Sequence, residues 1–216
     1  MVWKGFKDVN ATIHVNVTYS EEEIFQRLHR SRKKNIKKAQ KAKLLFIGAE
    51  TEEEWKEWYS IYKKVWTAGG IEYKKLSYFQ KPNSHLYLIR LKNKIVGGGV
   101  FEEFSNKIIF EAYASLIDFQ RYRVNDFLYW NSFMYAKQNK KSFVDLGGWQ
   151  INARGHLEGV NSFKEKWGGK IIYYPIYNKN PFYILGRKAI RNFVSIRWIW
   201  DRIKKRPLQK KSGEGF

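Results

Sequence analysis

The chain contains no cysteine. That excludes a disulfide framework, a thiol nucleophile and any cysteine metal site, and it suits a reducing cytoplasm. Its four histidines, His14, His29, His85 and His156, lie far apart with no H-x-x-x-H spacing, so no zinc site is expected. No apolar run approaches the ~20 residues a spanning helix requires. The opening Met1-Val-Trp-Lys-Gly-Phe6 has no apolar segment of the kind a secretory signal needs, so the expected location is cytoplasmic. Neither an internal repeat nor a low-complexity linker is present. Acid is also scarce: 20 Asp and Glu stand against 41 Lys and Arg, a net charge of +21.

What remains is a chain built to fold. Its 216 residues are 44% apolar and 18% aromatic, too rich for disorder and long enough for one sizeable domain with an extra terminal element. The charge predicts attraction to an anionic partner such as RNA, a phosphate-bearing lipid or nucleotide sugar, or an acidic membrane surface; a host with a lysine-rich proteome is the plainer explanation. Most of the excess sits in two stretches. Arg27 to Lys43 carries Arg27, Arg30, Arg32, Lys33, Lys34, Lys37, Lys38, Lys41 and Lys43 without an acid, and Arg187 to Lys211 sets ten basic residues against Asp201 alone.

Periodicity gives an α+β order. Thr12 to Val17 alternates as a strand. Ser20-Glu-Glu-Glu23 and Thr51-Glu-Glu-Glu54 are capping boxes. The first opens a helix with a broken apolar stripe (Ile24, Leu28, Ile36, Ala39). The second opens one through Trp55, Trp58, Tyr59, Tyr62 and Val65, closed by Gly69-Gly70. Between them Lys43 to Ile47 reads as a strand, and a short helix is expected over Glu72 to Gln80. His85 to Leu91, Ile95 to Phe104 and Ile108 to Leu116 form a three-strand meander, with a turn at Lys92-Asn-Lys94. A helix follows over Val124 to Lys140, packing through Phe127, Leu128, Trp130, Asn131, Met134 and Tyr135. Ser142 to Asp145 is a strand ending in a glycine pair, the Phe163-Lys164 segment a short helix, and Lys170 to Tyr177 a last strand. A basic amphipathic helix is expected over 187–206, with Ile190, Phe193, Ile196, Trp200 and Ile203 on one face.

The most informative run is Val144-Asp-Leu-Gly-Gly-Trp149, followed after about a dozen residues by Gly159-Val-Asn-Ser-Phe-Lys-Glu-Lys-Trp-Gly-Gly169. Glycine pairs let backbone come close to another group or take dihedrals other residues avoid, and a lysine between two such turns is a candidate functional cation. With these elements the chain resembles the FemABX-like peptidoglycan-bridge aminoacyltransferases of the GNAT acyltransferase superfamily. Six matches in all keep the family's order: Thr12 to Val17 as the entering strand; Arg32-Lys-Lys-Asn-Ile-Lys-Lys-Ala39 as the R-x-x-I-x-K/R-A helix; Lys94-Ile-Val-Gly-Gly98; Glu111-Ala-Tyr-Ala-Ser115 as the Y-x-Y-A/G-x-S strand; Leu128-Tyr-Trp130 as L-x-W; and Asp145-Leu-Gly-Gly148 with Phe163-Lys164 as D-L-G-G and F-K.

The resemblance implies a single GNAT-like domain over 1–186, a mixed sheet, and a basic C-terminal helix and tail over 187–216. It implies an acyltransferase that forms an amide on a cell-envelope, peptidoglycan-type precursor by aminoacyl transfer from aminoacyl-tRNA. Lys164 and Phe163 then lie at the reaction centre with Asp145, which either orients a substrate amine or caps its own turn. Arg32, Lys38, Tyr113, Arg121, Arg123, Gly147, Gly148 and Trp149 are the candidate substrate-binding residues. Attack of an amine on an ester builds an oxyanion, and a fixed cation in a water-poor site lowers that barrier by a few kcal/mol.

Two departures qualify this. The family carries two GNAT domains with the acceptor between them and this chain has room for one, so the acceptor site is open, different, or completed by a partner, a homodimer included. Coenzyme A-dependent relatives carry a glycine-rich Q/R-x-x-G-x-G/A turn around the pyrophosphate; here it reads Gln120-Arg-Tyr-Arg-Val-Asn125, without glycine, which disfavours acyl-CoA and favours aminoacyl-tRNA as donor. No cofactor is expected to be tightly bound. A CoA-dependent N-acetyltransferase acting on an amino sugar or small amine remains an alternative, as does a non-enzymatic basic module binding RNA or membrane. His156 is a general-base candidate by position alone. The helix at Arg32 to Lys41 reads as a phosphate track or as a plain solvated face. The terminal cations interleaved with Phe193, Trp198 and Trp200 fit a helix lying at the inner face of the plasma membrane.

Overall fold

The computed structural model describes residues 6–69 and 72–189. The described chain falls into two compact units. The larger consists of Thr12–Trp149 with Phe163–Ile172; the smaller takes in the described residues of Met1–Ala11, Gln150–Ser162 and Tyr173–Phe216.

Seven strands, β1 Phe6–Asn16, β2 Leu44–Gly48, β3 Ser84–Leu91, β4 Lys94–Glu103, β5 Lys107–Ser115, β6 Phe143–Trp149 and β7 Lys170–Asn178, form one mixed sheet in the order β2-β3-β4-β5-β6-β1-β7. The helices are α1 Glu21–Arg27, α2 Arg30–Lys41, α3 Glu52–Ala68, α4 Val124–Gln138 and α5 His156–Glu165. This is the α+β architecture with a mixed sheet expected from the sequence.

Both capping boxes form: Ser20 and Thr51 accept from the backbone of Glu23 and Glu54, whose carboxylates return to the cap N–H groups. The first helix, expected to be continuous, is two. Leu28 and His29 are extended (ψ 145 at each), the His29 N–H donates to Lys166 O at 3.0 Å, and the His29 ring caps Ser31 N as the start of α2. The helix expected near Glu72 to Gln80 shrinks to one 3-10 turn at Leu76–Tyr78. There the Lys74 N–H donates to the Tyr62 hydroxyl and the Lys74 carbonyl accepts from Tyr59 Oη, each at 3.1 Å. Tertiary bonds thus take the backbone groups a helix would use.

β1 begins six residues before the expected Thr12. Its early residues are polar but inward: Asp8 is buried and accepts from Arg187 Nε at 3.2 Å, while Arg187 also donates to Asn10. Polar inward positions hide a strand from hydropathy alternation. The sequence boundary at 186/187 lies near the end of the described chain. Residues 181–189 are helical, and the rest of the expected 187–206 helix, like Gly70, lies outside the described residues.

α4 has no solvent stripe. Val124, Phe127, Leu128, Tyr129, Trp130, Phe133 and Ala136 are all buried, and so are Asp126 and Ser132. Helices buried on nearly every side lose the 3.6-residue signal, which is why Tyr129 and Phe133 escape a one-sided assignment. Two apolar clusters result in the larger unit. One forms around α4, α1 and α2 and the other around Trp58, Tyr62 and Phe79.

Two irregularities of the sheet shape the site. Between β4 and β5 the register slips, so that Phe101 faces Phe110 and Val100 faces Ala112, leaving Glu111 bulged. The bulge reverses the alternation and turns both Phe110 and Tyr113 toward Tyr129, with ring centroids at 4.4 and 5.4 Å. The parallel pair β5–β6 is registered only at Lys107↔Phe143, Ile108↔Val144 and Ile109↔Asp145. Beyond Asp145 the two strands run on without pairing, leaving a wedge between Glu111–Ser115 and the glycine pair.

Candidate active site

The strand carrying Asp145 does not stop at the glycine pair, as expected, but continues to Trp149. Gly147 makes this possible with φ +73, and a Cβ there would stand 3.0 Å from Phe110 O. Gly148 has open space around it.

Lys164 reaches this point from α5. It is 7% exposed, and its Nζ donates to Gly148 O at 2.8 Å. Burial pulls its pKa from the usual lysine value down to about 8, with the Asp145 carboxylate opposing that shift. A buried ammonium at the open end of two splayed strands is a donor available to charge developing in the wedge.

Asp145 is buried and fully engaged. It accepts from Thr12 Oγ1, from the Gly147 N–H at 2.9 Å and from His14 Nε2 at 3.1 Å, with Lys107 Nζ at 3.8 Å. Thr12 Oγ1 also reaches Gly147 O at 2.9 Å. These bonds fix the turn geometry at Gly147, so Asp145 acts on the glycine pair from beneath.

Phe163 packs edge-on to Tyr129, with centroids at 5.1 Å, and lies under the Arg32 guanidinium at 4.7 Å. Arg32 is itself paired with the buried Asp126 at 2.6 Å, and Asn35 adds bonds to the same carboxylate. Desolvation raises Asp126 while Arg32 restrains it. Arg32 therefore closes the floor of the site by a buried pair, whereas Lys38 on the same helix is exposed.

Arg32, Asn35, Ser115, Gln120, Arg123, Asn125 and Phe163 are among the residues lining a cavity of about 190 Å3 at the N-terminus of α4. Arg123 there has φ 62 and ψ 42, the left-handed conformation that glycine takes most readily. The glycine-free turn thus adopts a glycine's shape. Arg121 is exposed and donates to Tyr122 Oη at 3.0 Å. Tyr113 is pushed up by burial, as is Tyr129, and the two hydroxyls interact without reaching hydrogen-bonding geometry. Trp149 Nε1 donates to Glu165 at 2.8 Å, tying the end of β6 to the end of α5. His156 is the first residue of α5; its side chain lies outside the described residues.

The structure therefore gathers Lys164, Gly147, Gly148 and Asp145 at one strand end. Phe163, Arg32 and Arg123 meet at the adjoining cavity, while Lys38 and Arg121 stand apart on the surface. Thr12, His14 and Lys107 surround Asp145 without any sequence motif to announce them; their only signal is strand alternation on three segments distant in sequence. Glu111 is likewise unannounced: its carboxyl is raised chiefly by burial, with Glu102 adding to it, and it accepts from Tyr78 Oη at 3.3 Å. Among the described residues no group of three or more His, Asp or Glu is placed to hold a metal ion, and no helix is long and apolar enough to cross a membrane.

No protein-family profile and no curated protein matches the chain. Solved structures do. FemX superposes with a TM-score of 0.70 at 14% identity over 81% of this chain and 63% of its own. The C-terminal domain of a putative lysylphosphatidylglycerol synthetase from Agrobacterium fabrum gives 0.67 at 13% over 86% and 66%. L-PGS from Bacillus licheniformis gives 0.62 at 12% over 87% and 66%. The chain spans under two thirds of the length of each. At these identities the likeness establishes the fold alone: the chain shares the fold of FemX and of the lysylphosphatidylglycerol synthetase domain.

Proposed function

We propose that the protein is an acyltransferase that forms an amide bond, with the acyl carbonyl of the donor held in the wedge between β5 and β6. The observation that carries this reading is the Lys164 ammonium, buried at the splayed end of β6 and bonded to Gly148 O at 2.8 Å. An incoming amine attacks the donor carbonyl, the carbonyl oxygen takes up negative charge, and Lys164 stabilises it. Collapse breaks the bond to the donor's oxygen or sulfur, which takes up the proton lost by the amine and departs as the alcohol or thiol, leaving the amide. Phe163, Tyr113 and Tyr129 keep the site poor in water, where such a contact is strongest. Asp145 holds Gly147 and so sets the position of the carbonyl that orients Lys164.

We assign the donor as aminoacyl-tRNA and the acceptor as an amine of a cell-envelope precursor. The likeness to FemX and to lysylphosphatidylglycerol synthetase domains supports this, as do the exposed cations Arg30, Lys34, Lys37, Lys38 and Lys41 along α2. Those cations suit a phosphate backbone, and the same charge suits the inner face of a membrane. A second reading, a CoA-dependent N-acetyltransferase, is favoured by one observation: Arg123 gives the turn before α4 its glycine-like form, and a cavity opens there with Arg32 and Arg123 in its lining.

The test is calorimetric titration with acetyl-CoA and with charged tRNA at two salt concentrations, followed by a transfer assay. Salt-sensitive tRNA binding and transfer lost in Lys164→Ala support the first reading. Saturable CoA binding that persists in salt makes the second the function. Unchanged transfer in Lys164→Ala removes both.

A further inference from the structure

The closing Trp167-Gly168-Gly169 run, singled out by sequence, has no part in the chemistry above. Its geometry serves something else. Gly168 has φ +73, and a Cβ on it would lie 2.7 Å from Arg27 O; a Cβ on Gly169 would collide with Ile13 Cγ2 and lie 2.8 Å from His14 O. These glycines let the α5–β7 turn press against α1 on one side and β1 on the other. A cavity of about 370 Å3 opens where the three meet, within the size range of small-molecule sites.

Its lining is chemically one-sided. Arg27 and Lys170 supply positive charge, His14 and Asn16 supply polar groups, and no carboxylate among the described residues lines it. Ile24, Phe143, Trp167 and Ile172 supply an apolar wall. Arg27 lies over the Tyr19 ring at 3.8 Å, which presets its position. Trp167 is fully buried, and its Nε1–H has no acceptor among the described residues. Two cations beside an aromatic and apolar wall suit an organic anion with a flat apolar body.

We propose that this cavity is a second ligand site, distinct from the Lys164 wedge, for a small organic anion, a phosphate ester or carboxylate carrying an aromatic or branched apolar group. The anion meets Arg27 and Lys170 and the body lies against Phe143 and Ile172. The site has a physical link to the wedge: His14 lines the cavity and bonds Asp145, which holds the Gly147 N–H. An occupant touching His14 therefore shifts Gly147. The groups facing His14 in this arrangement are Asp145 directly, and Lys107 and Lys164 through Asp145.

The experiment is titration of the full chain with phenyl phosphate, benzoate, inorganic phosphate and phenol, by calorimetry and by amide chemical shift. Saturable binding of phenyl phosphate or benzoate is expected, at least tenfold tighter than inorganic phosphate or phenol, with shifts at Gly168, His14 and Gly147; the two anions sort phosphate from carboxylate. Arg27→Met with Lys170→Met lowers that affinity at least tenfold, whereas Lys164→Met leaves it intact, so the site stands or falls apart from the transfer reading. Should the double variant unfold, Lys170→Met alone, an exposed position, is expected to weaken binding about threefold. Failure of both organic anions to bind at millimolar concentration overturns the proposal, as does binding that ignores these substitutions or shifts that map elsewhere.

Discussion

Replacing Lys164 with methionine is expected to make the protein more stable and to stop transfer. The charged side chain is held where its pKa is about 8 instead of the ordinary 10.5. Keeping the proton on at neutral pH thus costs about 3 kcal/mol relative to water. Methionine retains the stem packing and removes that cost, while losing a hydrogen bond of ~1 kcal/mol to Gly148 O, an oxygen water can reach because Gly148 is exposed. The net expectation is a gain of roughly 1–2 kcal/mol, or ~3–6 °C in melting temperature for a chain of this size. Transfer should fall by about 10²–10³, the usual effect of deleting one oxyanion donor. The pH dependence sharpens the test. Because the native pKa is depressed, the unfolded chain binds the extra proton between pH 8 and 10.5, so the wild type gains stability across that window and carries the full, pH-independent cost of this group below it. The stability gap between variant and wild type should therefore be constant below pH 8 and close above it. Denaturant melts of both proteins from pH 6.5 to 10.5 measure this. A variant that is less stable than wild type at pH 7, with a gap independent of pH, would refute the account of Lys164 as a buried, strained cation.

Further outcomes follow from the same geometry. On the proposed mechanism transfer should decline as pH rises through about 8, because the oxyanion would lose the charged form of Lys164; a rate that climbs through the same window would mean the neutral amine acts as a base instead. Arg32→Ala strands the buried Asp126 carboxylate, and urea melts should show a loss of about 3 kcal/mol, whereas Lys38→Ala should leave stability within ~0.5 kcal/mol and reduce only the salt-dependent part of tRNA binding. Gly169→Ala drives a methyl into Ile13 and the His14 carbonyl, and thermal melts should register a loss of about 2 kcal/mol or more. Arg123→Gly relieves a left-handed arginine and should add about 1 kcal/mol; if acetyl-CoA is the donor it should leave saturable binding in place.

The sequence disclosed the order of elements well because its signals were local. Ser20 with Glu23 and Thr51 with Glu54 are caps readable within four residues, and the turn at Lys92 and Asn93 lies between two alternating strands. It disclosed Lys164 through the glycine pairs around it and through resemblance, since a lysine on a short helix carries no mark of burial. What it hid depends on distant partners. His14, Thr12 and Lys107 meet Asp145 only because β1, β5 and β6 lie together in the sheet. Glu111 is bulged by a register slip against Val100 and Phe101 that no periodicity foretells. Leu28 and His29 break a helix because Lys166 supplies a carbonyl from far along the chain. Arg123 holds a glycine's conformation without being glycine, so a motif scan sees an absence where the backbone has kept the shape.

The parallel junction of β5 with β6 has a mechanical meaning. Three registered positions, from Lys107 to Ile109, are all that join these strands, against the long antiparallel ladders that bind β3 to β4 and β4 to β5. The sheet is therefore stiff across its meander and compliant at one seam, like a book sewn only near the top of its spine. Opening that seam a little costs few hydrogen bonds and disturbs no ladder on either side. A group seated in the wedge can then be wider or narrower without any rebuilding of the core on either side.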